Sequence, residues 1–381
     1  MLPAQVQISQ GGASSLLNRF LMSRFGPALT GAVVGILAPV LVFLGNPGNM
    51  GICVACFGRD IAGALGLHRA AVVQYLRPEI AGFILGSFIS AVLYREYRPR
   101  AGSAPIIRFF LGVFAMVGAL IFLGCPWRAY LRLSGGDLNS LWGIAGLASG
   151  VGIGIAFLWN GFNLGRSAPT AKASGLVMPA FSVILLVLLI LAPQFGRDAA
   201  GLPAGPIFFS AQGPGSMHAP TFIALGVGLL IGWMAQRSRF CTVGALRDLF
   251  MLKDPHLFYG ILALMAAAIA TNVALGQFKL GFTGQPVAHT NALWNFLGML
   301  LSGLAFTLAG GCPGRQLIMS GEGDNDAALF VMGLIVGAGI AHNFGFASGP
   351  KGPGPYAATA FAAGMIFCLA VGFFNRGRVS A

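Results

Sequence analysis

Long apolar runs separated by short polar stretches recur along this chain from about residue 25 to residue 374. Each run is about 17–22 residues long, the length a helix needs to cross roughly 30 Å of hydrocarbon. Apolar residues are continuous within the runs, which argues against the alternating strands of an outer-membrane barrel. Ten spans are expected. In the first half they lie near 25–46, 78–95, 106–123, 140–160 and 174–193; in the second they lie near 220–236, 257–276, 291–310, 327–346 and 356–374. The stretch 194–219 is rich in Gly and Pro and reads as a linker between the halves.

Two segments fit neither a span nor a solvated loop. GICVACFGRDIAGALGL (51–67) and FCTVGALRDLFML (240–252) are too short and broken to cross, yet too apolar to sit in water. Both read as re-entrant half-helices, because irregular backbone at membrane depth is tolerated only inside protein or along a wet cavity.

Composition agrees with an all-α integral membrane protein. Hydrophobic residues make up 56% of the 381 residues and charged residues 9%, against about 25% charged in soluble domains. The net charge of +13 would suggest nucleic acid in a soluble protein. Here the basic residues lie mainly between the spans, so they read as topology signals and no nucleic acid is expected. With the N-terminus inside, 15 Lys and Arg face the cytoplasm and 8 face out, the loop YREYRPR (94–100) being the strongest vote. The start of the chain lacks a basic region followed by an apolar core, so it is not a cleaved signal peptide. The expected organisation is a cytoplasmic segment (1–24), a first membrane repeat (25–193), an extracytoplasmic linker (194–219), a second, inverted repeat (220–374) and a cytoplasmic tail (375–381).

The chain repeats itself. GCPWR (124–128) and GCPGR (311–315) share a Gly-Cys-Pro-x-Arg pattern, followed by SGGD (134–137) and SGEGD (320–324). Cys53 precedes Arg59 and Asp60 by the same spacing as Cys241 precedes Arg247 and Asp248. GIGIA (152–156) matches GAGIA (337–341). The offsets run from 185 to 188, a duplication signature. Five spans per half force the second copy to enter the membrane upside down, the inverted-repeat arrangement of many transporters.

The repeated residues carry chemistry. Proline after the cysteine suits the first turn of a helix, and a helix N-terminus favours anions through its free N–H groups and dipole. Cys53, Cys125, Cys241 and Cys312 are the candidate substrate pathway, since a thiol is a soft, weak S–H donor suited to a soft anion of sulfur or selenium. Arg128 and Arg315 either attract the anion or hold the loop by capping carbonyls or pairing with Asp137 and Asp324. Arg59–Asp60 and Arg247–Asp248 read as structural ion pairs. Cys368, without a twin, reads as core packing. Cys53 and Cys56 form a CxxC, so a membrane thiol–disulfide oxidoreductase is an alternative of another class. Against it, Gly244 stands where Cys56 would have a twin. A metal transporter is disfavoured because the spans lack acidic residues and the histidines do not cluster. No catalytic residue, cofactor or metal is expected.

NMGICVACFGRDIAG (49–63), LGCPWRAYLRLSGGD (123–137), SRFCTVGALRDLF (238–250) and GGCPGRQLIMSGEGD (310–324) together resemble the YeeE/YedE sulfur-transport family, and within it the YedE branch, to which selenium transport is ascribed. The resemblance implies an hourglass-shaped, multi-pass protein of the bacterial inner membrane with both termini cytoplasmic. In the family's thiosulfate transporters, cysteines of the central loops contact the anion and pass it through a narrow waist. The matching positions are Cys53, Cys125 and Cys312, with Cys241 completing the symmetry. The expected function is therefore uptake of a small selenium- or sulfur-containing species, with thiosulfate or a related sulfur compound as the alternative substrate. The expected partners are that substrate, the bilayer and a soluble sulfur- or selenium-carrier protein on the cytoplasmic side.

Overall fold

The computed structural model describes residues 16–191, 198 and 205–377. Residues 194–197 and 199–204 of the expected linker, and most of the two terminal segments, lie outside the described residues. The first half comprises α1 (Leu16–Leu21), α2 (Gly26–Phe43), α3 (Val54–Ala64), α4 (Pro78–Leu93), α5 (Pro105–Phe122), α6 (Pro126–Ser134), α7 (Ser140–Trp159) and α8 (Val177–Leu191). The second comprises α9 (Thr221–Ser238), α10 (Thr242–Met251), α11 (His256–Ala274), α12 (Ala292–Ala309), α13 (Pro313–Gly321), α14 (Asn325–Asn343) and α15 (Ala357–Phe374). Local chemistry explains many starts. Pro78, Pro105, Pro126 and Pro313 open their helices at the first turn, where no donor is lost. Asn291 and Asp324 cap α12 and α14 by accepting the N–H of Trp294 and Ala327.

Among the described residues, eight helices are long and apolar enough to cross a membrane by length and composition. Helix α4, at 16 residues, is shorter, and α9 carries Gln236 and Arg237 in its last turn; neither is among the eight, yet the two pack along each other.

The packing is exchanged onto itself when the halves are swapped. Helix α2 packs on α11, as α9 packs on α4; α5 packs on α14, as α12 packs on α7; and α5 meets α12 at the centre. Without a hydrophobic driving force between helices in lipid, close packing of small residues holds such pairs. Gly31 lies against the backbone of Gly260 in the α2–α11 pair, and Gly82 against Gly228 in the α4–α9 pair. The outermost helices break the exchange. Helix α8 lies on α4 and α13, whereas α15 lies on α5, α7 and α12.

Cross-half contacts define two ends. At one, the Lys279 N–H donates to Gly135 O (2.9 Å) and the Phe208 N–H to Ala64 O (2.9 Å). At the other, the Arg98 N–H donates to Glu322 O (3.0 Å) and the Asn163 N–H to Asn375 O (2.9 Å). The four short helices α3, α6, α10 and α13 lie between these ends; α3, α6 and α13 are almost wholly buried, while α10 exposes Phe250 near its C-terminal end.

Glu79 corrects the expectation that the spans lack acidic residues. It sits buried in the first turn of α4, with one oxygen on the Asn46 amide at 2.8 Å and the other without a hydrogen-bond partner among the described residues.

Candidate functional site

Each of the four short helices begins at a repeated cysteine. Cys53, Cys125, Cys241 and Cys312 occupy the position before the first helical residue, in extended backbone. Three sulfurs do the work a serine oxygen does elsewhere at a helix start. Cys53 Sγ accepts the Cys56 N–H at 3.3 Å, Cys241 Sγ accepts the Gly244 N–H at 3.2 Å and Cys312 Sγ accepts the Arg315 N–H at 3.4 Å. Such a bond uses a sulfur lone pair and leaves the S–H proton free to donate. Cys125 makes no cap bond; its sulfur lies 3.8 Å from Cys53 Sγ instead.

The thiols are therefore gathered in two pairs, one per half. Cys53 meets Cys125, and Cys241 Sγ also accepts the Cys312 N–H at 3.4 Å. All four are buried. Each pair joins the N-termini of two short helices, so partial positive charge from both dipoles falls on it.

The CxxC is reinterpreted by these contacts. The Cys56 N–H makes the same cap bond that Gly244 makes in the second half. The Cys56 thiol turns to Arg128, whose Nη1 donates to it at 3.2 Å. The Cys53 sulfur thus lies beside two thiols, those of Cys125 and Cys56.

The two motif arginines are committed to the loops. Arg128 donates to the carbonyls of Asn49 (2.9 Å), Val287 (3.0 Å) and Leu123. It does not take Asp137, which is bound by Arg132 at 2.7 Å. Arg315 reaches Glu322 at 3.1 Å rather than Asp324, which caps α14 and pairs with Arg100 at 2.6 Å. Arg59 meets Asp60 at 2.7 Å, and Arg77 binds the other oxygen of the same carboxylate at 2.8 Å. Arg247 meets Asp248 at 2.8 Å. Cys368 is buried in α15, away from the short helices.

Sequence reading missed a cavity over the turn before Cys53. A cavity of about 350 Å³ opens over Asn49 and Gly51, lined further by Asn272, Gln277, Lys279 and Gln285. Its polar wall comes from the connection after α11, a loop whose role is invisible until it folds over the turn before Cys53.

Residues 237–367, carrying the second cysteine pair, match the family described as sulphur transport. That segment, about a third of the chain, is what resembles the family. Two relatives agree. A 100-residue stretch, 25% of this chain, is 35% identical to 27% of the thiosulfate transporter TsuA of Escherichia coli (strain K12). A 97-residue stretch, 26% of this chain, is 34% identical to 29% of the thiosulfate transporter TsuA of Spirochaeta thermophila. The matches thus span under a third of each relative. Within the sulphur-transport segment lie Cys241, Cys312, Arg315 and the Arg247–Asp248 pair. Cys53 and Cys125 come to the site through the repeat.

Proposed function

We propose that this protein is a membrane transporter for a small sulfur-containing anion, with thiosulfate as the first substrate to test and a selenium analogue as the second. The carrying observation is that four repeated cysteines, far apart in sequence, meet as two buried thiol pairs on converging helix N-termini. The anion enters through the cavity beside Asn49 and Lys279. It accepts S–H donors of Cys53 and Cys125, crosses to Cys241 and Cys312, and leaves at the opposite end. No bond is made or broken. Helix dipoles and buried guanidinium charge lower the cost of bringing an anion into the membrane interior.

Supporting this reading, the contacts among α2, α4, α5, α7, α9, α11, α12 and α14 exchange between halves as an inverted repeat would require. The excess of Lys and Arg at the end holding residues 94–100 favours a cytoplasmic placement of that end and of both termini, in a bacterial inner membrane. A soluble sulfur carrier would collect the anion there.

The test is uptake of labelled thiosulfate, selenite and selenate by proteoliposomes. Cys125→Ala and Cys312→Ala are each expected to abolish thiosulfate uptake while leaving the protein folded. Unchanged uptake in both would remove the thiol relay.

A further inference from the structure

The fourth residue of the repeated motif differs between the halves: Trp127 in GCPWR, Gly314 in GCPGR. The two positions meet. A methyl group added to Gly314 would lie 2.9 Å from Trp127 Cζ2 and 3.3 Å from its Nε1. Two equivalent positions that face each other cannot both be large, so the indole of one half fills the space left by the glycine of the other. The indole also lies 5.5 Å, centroid to centroid, from Phe240, the residue before Cys241, and 6.0 Å from Phe83 of α4. It follows Cys125 by two residues on its own helix. Trp127 thus stands between the two thiol pairs and is 1% exposed.

Polar satisfaction points to a ligand here. Trp127 Nε1 and the Tyr130 hydroxyl are buried without a hydrogen-bond partner among the described residues. Buried donors of this kind are normally paired, and each left unpaired needs an explanation. The two side chains are three residues apart on α6, hence on one helix face, and the Tyr130 hydroxyl is close enough to Cys312 to interact with it electrostatically.

We propose that Trp127 is the septum of the pathway and that its N–H, with the Tyr130 O–H, forms a donor site for the oxygen end of a sulfur oxyanion in transit. This rests on the transport reading above and adds a selectivity element to it. Thiols suit the soft sulfur end of such an anion; the indole N–H and phenol O–H suit its oxygens. At rest the indole closes the waist to small ions. The anion exchanges the unmet donors for bonds as it passes.

The test combines two readouts on proteoliposomes. Trp127→Phe keeps an aromatic ring but loses the N–H, and Tyr130→Phe loses the O–H. Each is expected to lower thiosulfate uptake about tenfold or more, the factor carried by one lost hydrogen bond to a charged group. Trp127→Ala is expected to admit iodide, to which the wild type and Trp127→Phe stay closed; Trp127→Leu serves the same reading if the alanine variant fails to assemble. Wild-type uptake in both phenylalanine variants, with uptake lost in Cys125→Ala, overturns the donor site and leaves the thiol relay standing. Vesicles tight to iodide in the folded small-residue variants overturn the septum. A wild type that takes up no thiosulfate overturns the relay and the donor site together, whatever the iodide result.

Discussion

The two cysteine turns share a pattern but hold themselves in opposite ways. In the first, Arg128 is fully buried and spends its guanidinium on three carbonyls and the Cys56 thiol. In the second, Arg315 joins an ion-pair network near the end of the bundle, where Glu322 also binds Arg239 at 2.7 Å and Arg239 binds Glu96 at 2.6 Å. The first turn is thus locked by a cation that stitches together residues from three parts of the chain. The second is tied by charges that share partners. The half facing the cavity has the rigid lock and the large residue, Trp127; the other has the network and the glycine.

The largest expected effect tests that contrast directly. Arg128→Gln leaves carbonyls of Asn49, Leu123 and Val287 short of donors in the interior. A loss of about 3 kcal/mol or more is expected, since each bond to a charged donor contributes roughly 1.5–3 kcal/mol. Arg315→Gln leaves Glu322 still held by Arg239 and is expected to cost about 1 kcal/mol or less. Thermal unfolding in detergent reads both. Equal losses would break the comparison.

A middle-sized effect concerns the backbone just before each motif. Helix α5 ends on Leu123 at φ 65°, and α12 ends on Gly310 at φ 91°. Glycine enters this left-handed region freely; leucine does so only under tertiary constraint. Arg128, bonded to the Leu123 carbonyl, supplies that constraint in the first half. A methyl group on Gly310 would meet nothing within 4 Å, so Gly310→Ala isolates the conformational term. It is expected to destabilise by about 1 kcal/mol. No change in the unfolding midpoint would mean the second turn relaxes where the first cannot.

A smaller effect is expected for Cys56. Its twin position is Gly244, which makes the same cap bond without a thiol. Cys56→Ser keeps an acceptor for Arg128 and is expected to transport thiosulfate within about threefold of wild type, given the modest net worth of one hydrogen bond. Loss of all activity in that variant, with Cys125→Ala and Cys312→Ala harmless, would instead restore a thiol–disulfide enzyme using Cys53 and Cys56.

Much of this was legible in the sequence for a physical reason. A helix start is a local event, so Cys-Pro, Asn291 and Asp324 announce it within a few residues, and a duplication repeats the announcement. Among the described residues, a helix lies within a few residues of each expected run, though only eight are long and apolar enough to count as spans. What escaped the sequence is contact between distant turns. The CxxC spacing suggested Cys53 with Cys56, and those thiols do meet, but the contact of Cys53 with Cys125 across 72 residues had no local signal. The pairing of Arg315 with Glu322 rather than Asp324 follows from Asp324 being consumed as a cap. The Trp-for-Gly difference was visible as a mismatch in the repeat, yet it gains meaning only once the two motifs face each other. The unequal seats of α8 and α15 have no signal in their uniformly apolar sequences.

The smallest effect separates the two ends by pH. Burial pushes the Glu96 carboxyl up, but the Gln236 amide and the Arg239 and Arg237 guanidiniums outweigh it and hold the group below the usual carboxylate range. A depressed carboxylate adds stability that is fully present above its unfolded value and is lost as pH falls through its folded one. The network that ties Arg315 should therefore loosen below about pH 4.5, the ordinary range of a glutamate. The Arg128 lock contains no carboxylate among its partners and should not respond. Hydrogen exchange on the 237–241 and 320–324 segments, compared with 49–53 and 123–128 between pH 7 and about pH 3, reads the difference. Both sets should be protected at pH 7, and only the first should lose protection on acidification. Glu96→Gln should abolish that difference by removing the titrating group. Equal loosening of the first turn would mean that its lock depends on a carboxylate after all, with Arg132 on that short helix and Asp137 in the turn just after it as the place to look.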